Sequence, residues 1–211
     1  MRQEKLLPHL RSPNGEHLIV SALADELPEA LPETVLFTGV GKINATYALT
    51  RYLAGHPEIR TVINYGTGGG AHKVEMGNLY KCTTFLQGDM NCGQLADGPG
   101  ITFGDDVAVA GVISYGDDGL ICRTQDQFVT DVSALDMFQH LIEDNKFNIV
   151  DMEAYALAKV CASMGKDFHC YKYISDDASQ NADNDWYDNV AGGEELFYEK
   201  LKTEHGFTHI Q

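Results

Sequence analysis

Arginine is scarce in this chain of 211 residues: only Arg2, Arg11, Arg51, Arg60 and Arg123 are present. A site that clamps phosphate normally needs arginine placed for bidentate contact, so phosphate-dependent chemistry is disfavoured from the outset. Long apolar runs are missing too, and nothing approaches the roughly 20 residues of a membrane-spanning helix. The stretch MRQEKLLPHLRSPNGEH at the start is too polar and too interrupted by Pro for a signal peptide. Paired cysteines are absent. Cys82, Cys92, Cys122, Cys161 and Cys170 are odd in number and scattered, with no CxxC. That points to reduced thiols in a cytoplasmic setting, not to a disulfide frame or a zinc site. Internal repeats and low-complexity linkers are also lacking.

What is present is acidity. The net charge of −16 repels phosphate backbones and anionic lipid, so neither nucleic acid nor membrane is expected as a partner. The length favours one domain over residues 1–211, large enough to bury a sizeable core.

Short apolar runs alternate with helical spacing. HLIVSAL (His17–Leu23), TVLFTGVG (Thr34–Gly41), TVINYG (Thr61–Gly66), GNLYKCTTFLQ (Gly77–Gln87), a part of LICRTQDQFV (Leu120–Val129), the NIVDM stretch and FHCYKYIS (Phe168–Ser175) read as strands. KINATYALTRYLA (Lys42–Ala54), ALDMFQHLIED (Ala134–Asp144), EAYALAKVCASMG closed by Gly165, and WYDNVAGGEELFYEKLK (Trp186–Lys202) read as helices. Gly192 and Gly193 weaken the last of these. The alternation predicts an α/β fold: a three-layer sandwich whose twisted central sheet is mixed and mostly parallel. Ligands of such sheets bind beyond the C-terminal strand ends, so the residues that follow each run matter most.

Several of those residues are chemically suggestive. GTGGG, Gly66–Gly70, follows a strand and reads either as a tight loop needing positive φ or as a close approach to a ligand. GVGK lacks the full phosphate-loop spacing and reads as a strand-to-helix turn. Asp25 and Glu26 follow the first strand, and Asp176 and Asp177 the last. Taken alone, these pairs suit a solvated first turn and a cap. Glu153 stands in the first turn of a helix whose dipole favours its ionised form, while Asp151 reads as a solvated neighbour. Phe128 is by default core. As a set, three carboxylates, a glycine segment and an aromatic at strand ends suit a sugar joined to a planar base.

The colinear series SALADEL, GVGKINA, NYGTGGG, GNLYKC, TQDQF, VDMEAYALA and YISDDA resembles the purine nucleoside phosphorylase and nucleosidase superfamily. Its hydrolytic branch, the methylthioadenosine/S-adenosylhomocysteine nucleosidases, is the closer likeness. VDMEAYALA and YISDDA are the most specific parts. The resemblance implies a purine nucleoside substrate, no cofactor, no metal and a homodimer. It also implies roles by position. Glu26 would activate the attacking water, Asp176 would protonate the base at N7, and Glu153 would hold the ribose hydroxyls. Thr67 would lie beside the sugar and the water, with Gly68 counted among the substrate contacts. Phe128 would stack on the purine, Val129 would meet the base edge through its backbone, and Met152 would lie beside the ribose. The chain departs from the pattern in a short connection between Leu27 and Val35, in Lys172 where Arg is common, and in Asp177 and Tyr155. Phosphorolysis using Arg123 and the glycine segment, and nucleoside binding without turnover, remain the two alternatives.

Overall fold

The computed structural model describes residues 10–29, 35–96, 98, 100–105, 107–108, 111–132, 135 and 147–209. In chain order the elements are β1 (Leu10–Arg11), β2 (His17–Ser21), β3 (Val35–Phe37), α1 (Lys42–Gly55), β4 (Thr61–Gly70), β5 (Leu79–Gln87), β6 (Val112–Ser114), β7 (Leu120–Thr124), β8 (Ile149–Asp151), α2 (Ala154–Ser163), β9 (Asp167–Asp176), α3 (Ala182–Asn189), α4 (Glu194–His205) and β10 (Thr208–His209). The helix expected over Ala134–Asp144 falls outside the described residues except for Leu135, as does most of the short connection before Val35.

The apolar runs become strands because their alternate residues serve two cores. Leu18, Val20 and Val62 face one side with Leu49 and Leu53 of α1 and Leu157 and Cys161 of α2. Ile19, Ile63 and Tyr65 face the other, against Phe197 and Leu201 of α4. This period of two is what a sheet covered on both sides requires.

The sheet is mixed. β2–β3, β2–β4, β4–β9, β5–β7 and β7–β8 run parallel, whereas β4–β8, β5–β6 and β5–β9 run antiparallel. Its path is β3-β2-β4-β8-β7-β5-β6, and β9 bonds to both β4 and β5. Strands β4, β8, β7, β5 and β9 therefore form a closed ring. The mixed sheet was expected, but the three-layer sandwich is corrected: the sheet closes on itself. β4 and β9 are each 10 residues long. They are long enough for β4 to pair with β9 along its length and still reach β8, while β9 turns its other edge to β5. Closure removes two edges that would otherwise need covering.

Two local expectations also change. The GTGGG segment is strand to its end, and none of its glycines has positive φ. They are there for close approach: a Cβ on Gly68 would lie 2.7 Å from Ile149 Cγ2, and one on Gly69 would lie 2.9 Å from Asp176 Oδ1. The single terminal helix is two helices. A Cβ at Gly192 would sit 2.4 Å from the Tyr173 hydroxyl and one at Gly193 2.5 Å from Tyr173 Cγ, so the glycines let the chain cross those rings and restart as α4.

At the N-terminal strand ends, away from the residues discussed next, three histidines meet. His205 lies 4.6 Å from His169 and 6.3 Å from His17, ring centroid to centroid. Tyr171 Oη donates to Glu204 (2.6 Å) and lies 2.8 Å from His205 Nε2. Burial, with His169 and His17 adding to it, pushes His205 from 6.5 down to about 4. Burial also lowers His169 and His17. Above pH 6.5 these rings are neutral whether the chain is folded or not. As pH falls from 6.5 towards 4, the unfolded chain takes up protons that the folded one refuses, and stability is lost. On going from pH 7.5 to pH 5, the unfolding free energy of His205→Gln should therefore change less unfavourably than that of the wild type. An equal loss in both would remove the cluster as the cause.

Candidate active site

Parallel strands β2, β4 and β9 bring their C-terminal ends to one side of the ring, and β8 ends beside them. A cleft of about 390 Å³ opens there, within the range of small-molecule sites. Glu26, Thr67, Gly68, Phe128, Val129, Met152, Glu153 and Asp176 all line it. The eight residues to which the resemblance gave a role are thus in one place, although the segments that supply them are far apart in the chain.

Glu26 closes a 3-10 turn, Ala24–Glu26, that follows β2 directly. It is buried, and five donors address its carboxylate. Oε2 accepts from Ser21 Oγ (2.7 Å), Ala22 N (3.1 Å) and Leu23 N (3.2 Å). Oε1 accepts from Thr67 N (2.7 Å) and Thr67 Oγ (3.0 Å). The turn consumes one oxygen, and the strand end leaves the other on the Thr67 side. The solvated first turn suggested by the isolated sequence is therefore not what forms.

Glu153 is buried at the head of α2, and its Oε1 accepts from Gly41 N at 2.8 Å. Gly41, just before α1, has φ of 95°, which only glycine adopts cheaply. Burial, then the charge of Asp151, push the Glu153 carboxyl up to about 8, against the pull of Lys172 and the Gly41 hydrogen bond. The helix dipole alone suggested an ionised group, and desolvation reverses that direction.

Asp151 is not a solvated neighbour. Its side chain is fully buried, 2.8 Å from Lys172 Nζ. It accepts from Ala154 N (2.8 Å), Glu153 N (3.2 Å) and Thr124 Oγ, and so caps α2. Burial opposes its charge, but the Lys172 ammonium and the hydrogen bonds from Thr124 and Ala154 together hold the carboxyl below its ordinary value. Lys172, likewise opposed by burial, is held well above its ordinary value chiefly by Asp151.

Asp176 ends β9, buried. Its Oδ2 accepts from Ser175 Oγ (2.8 Å) and its Oδ1 from Ala178 N (2.9 Å). Burial raises its pKa, those two hydrogen bonds oppose the rise, and Asp177 and Asp185 add to it. Ala178 holds φ of 51°, a left-handed conformation that a residue with a Cβ adopts only at some cost and that here turns its N–H onto Asp176.

The apolar wall is Phe128, Val129 and Met152. Phe128 is 39% exposed and faces the cleft, so the default reading as core is corrected. Trp186, Tyr187 and Asp183 of α3 also line the cleft, and sequence reasoning missed all three because it began the last helix at Trp186. The only local signal was the acidic first turn of α3, Asp183 and Asp185, beside the single tryptophan. Among the described residues lining the cleft there is no lysine or arginine. Arg123 lies outside it, buried, donating from Nη2 to the Gly88 carbonyl at 2.7 Å and stacked 5.3 Å over the Phe147 ring. Among the described residues no group of three or more His, Cys, Asp or Glu could hold a metal ion. None of their helices is long and apolar enough to cross a membrane.

A family model described as the phosphorylase superfamily matches residues 5–202. A 5'-methylthioadenosine/S-adenosylhomocysteine nucleosidase of Shewanella halifaxensis (strain HAW-EB4) is 28% identical over 167 residues, 71% of this chain and 70% of that protein. The structure of a futalosine hydrolase mutant of Helicobacter pylori strain 26695 matches with a TM-score of 0.73 at 15% identity, covering 86% of this chain and 96% of that one. A methylthioadenosine/S-adenosylhomocysteine nucleosidase from Colwellia psychrerythraea 34H in complex with adenine matches with a TM-score of 0.71 at 16% identity, covering 89% and 93%. At these identities the structural likeness concerns the fold.

The raised Glu153 has a measurable consequence. Between its ordinary value of 4.5 and about 8 the folded chain keeps a proton that the unfolded chain has released. Stability from this group therefore falls as pH rises through that window, and the full cost of a buried charge is felt above it. Glu153→Gln carries no such cost. Its melting temperature should exceed that of the wild type by a few degrees at pH 9 and by much less at pH 5. The same difference at both pH values would contradict the raised pKa.

Proposed function

The chain belongs to the phosphorylase superfamily, and on that premise we propose that it cleaves the N-glycosidic bond of a purine nucleoside with water. The observation that carries this reading is the placing of three carboxylates in three different environments around one cleft with an apolar wall. Asp176, raised by burial, is the proton donor. It protonates the base at N7, and the bond from the sugar to the base breaks as the base leaves neutral. Positive charge then grows on the ribosyl carbon. Glu26 takes a proton from the water that adds there. Glu153 accepts hydrogen bonds from the ribose hydroxyls, and both those donors and the growing positive charge favour its anion. This division of acid and base by environment is the logic of other glycoside-cleaving sites.

The remaining residues fit around that core. Phe128 stacks on the purine, the Val129 backbone meets its edge, Met152 lies against the ribose, and Thr67 and Gly68 flank the sugar and the water. No cofactor enters the scheme. The working unit is read as a homodimer from the resemblance alone. The five cysteines are free, which suits a reducing compartment such as the cytoplasm.

Phosphorolysis is the second reading, and one observation weighs against it. Phosphate needs cationic groups at the sugar, and the lining described above holds none, with Arg123 turned to the Gly88 carbonyl and Phe147.

The test is release of free base from methylthioadenosine, S-adenosylhomocysteine, adenosine, inosine and futalosine, each with and without phosphate. Release independent of phosphate is expected from at least one of them. Strict dependence on phosphate would overturn the hydrolytic reading. Asp176→Asn should lower kcat by about 10²–10⁴-fold while nucleoside binding survives, the usual worth of a general acid. Turnover near the wild-type rate would remove Asp176 from that role.

A further inference from the structure

Helix α3 touches the site at a point the scheme above leaves unused. Trp186 Nε1 donates to Thr67 Oγ at 2.9 Å. An indole N–H is a donor only, so the threonine oxygen must accept, and its own proton is directed elsewhere. The acceptor within reach is Glu26 Oε1, 3.0 Å away, which also takes the Thr67 backbone N–H at 2.7 Å. The three groups form a directed chain from indole to hydroxyl to carboxylate. A second tether holds the same helix: Asn189 Nδ2 donates to the Ser175 carbonyl at 3.1 Å, next to Asp176. α3 is thus pinned to the end of β4 at one point and to the end of β9 at another.

We propose that Trp186 is a positioning residue for the hydrolytic step, committing the Thr67 hydroxyl proton to Glu26 and so fixing which face of that carboxylate is open to water. The proposal rests on the reading of Glu26 as the group that takes the proton of water. Without the indole donor, the Thr67 hydroxyl is free to rotate into the cleft, where it competes for the water and the sugar. Glu26 then loses one of the two contacts that orient Oε1. Packing alone does not account for the arrangement, since the Trp186 ring lines an open cleft, edge-to-face with Tyr187 at 5.1 Å and 75°.

Two measurements test it. The chain has one tryptophan, so a spectrum of the ¹⁵N-labelled protein holds one indole N–H signal. In Thr67→Val, which keeps the shape and removes the oxygen, that signal should move upfield and exchange faster with solvent. In the kinetics, Trp186→Phe and Thr67→Val should each lower kcat about fivefold with KM changed less than about twofold, and the double variant should be no slower than Thr67→Val alone. Melting temperatures of the single variants are compared first, so that a loss of fold is not read as a loss of positioning.

Losses that multiply in the double variant, or a rise in KM without a fall in kcat, would mean that Trp186 only shapes the pocket. An indole signal indifferent to Thr67→Val in an active enzyme would overturn the Trp186 assignment by itself. Absence of any phosphate-independent base release by the wild-type protein would overturn the hydrolytic reading and the positioning role together, while the indole signal still reports whether the contact exists.

Discussion

One buried ion pair organises this end of the fold. Lys172 and Asp151 meet at 2.8 Å inside the closed ring of strands, with 1% and none of their side chains exposed. Burial disfavours both charges, and their attraction, together with the hydrogen bonds and charges around them, outweighs it in both. Removing one partner from such a pair leaves a bare charge in the interior, typically at about 3–5 kcal/mol. The pair does more than balance itself. The same Asp151 carboxylate accepts from Glu153 N and Ala154 N, so it fixes where α2 begins and hence where Glu153 stands. Lys172 reaches the other side of the site as well. The spot where a Cβ of Gly66 would lie is 3.1 Å from Lys172 Nζ and 3.2 Å from Glu26 Oε1. A side chain at that position would part the cation from the second carboxylate.

Given that pair, the three carboxylates at the cleft differ for identifiable reasons. Glu26 is held by five donors from a strand end, a turn and Thr67. Glu153 has one close donor and a negative neighbour, so burial wins. Asp176 has two donors, yet burial and the acids that follow it still raise it. Similar side chains, within one cleft, thus meet different surroundings. The closed ring makes this possible because it delivers β4, β8 and β9 to the same edge without leaving either end of that group of strands free.

Much of this was legible in the residues. The period-two runs around Leu18–Val20 and Val62–Ile63 placed β2 and β4, and the helical spacing of EAYALAKVCASMG, closed by Gly165, placed α2. Glu26, Glu153 and Asp176 stood out because their segments each end an apolar run, whereas Thr67, Gly68, Val129 and Met152 were named from the family resemblance. What stayed hidden depends on partners distant in sequence. Ring closure requires β9 to bond on both edges, and nothing local in FHCYKYIS announces the second edge. The burial of Asp151 depends on Lys172, a strand away, and without that partner an aspartate before a helix reads as solvated. Phe128 looked like core because a lone aromatic usually is. Trp186 was out of sight because its contact is with Thr67, far away in the sequence.

The claim at the centre of this account is that water, held by Glu26, is what replaces the base on the sugar. Turnover of the best nucleoside in H₂¹⁸O, with the released sugar trapped at once by borohydride reduction and weighed by mass spectrometry, addresses it directly. The account predicts one ¹⁸O at the anomeric carbon of each sugar released, with the same yield whether or not phosphate is present. Sugar that carries no ¹⁸O, and leaves as the 1-phosphate only when phosphate is supplied, would contradict it.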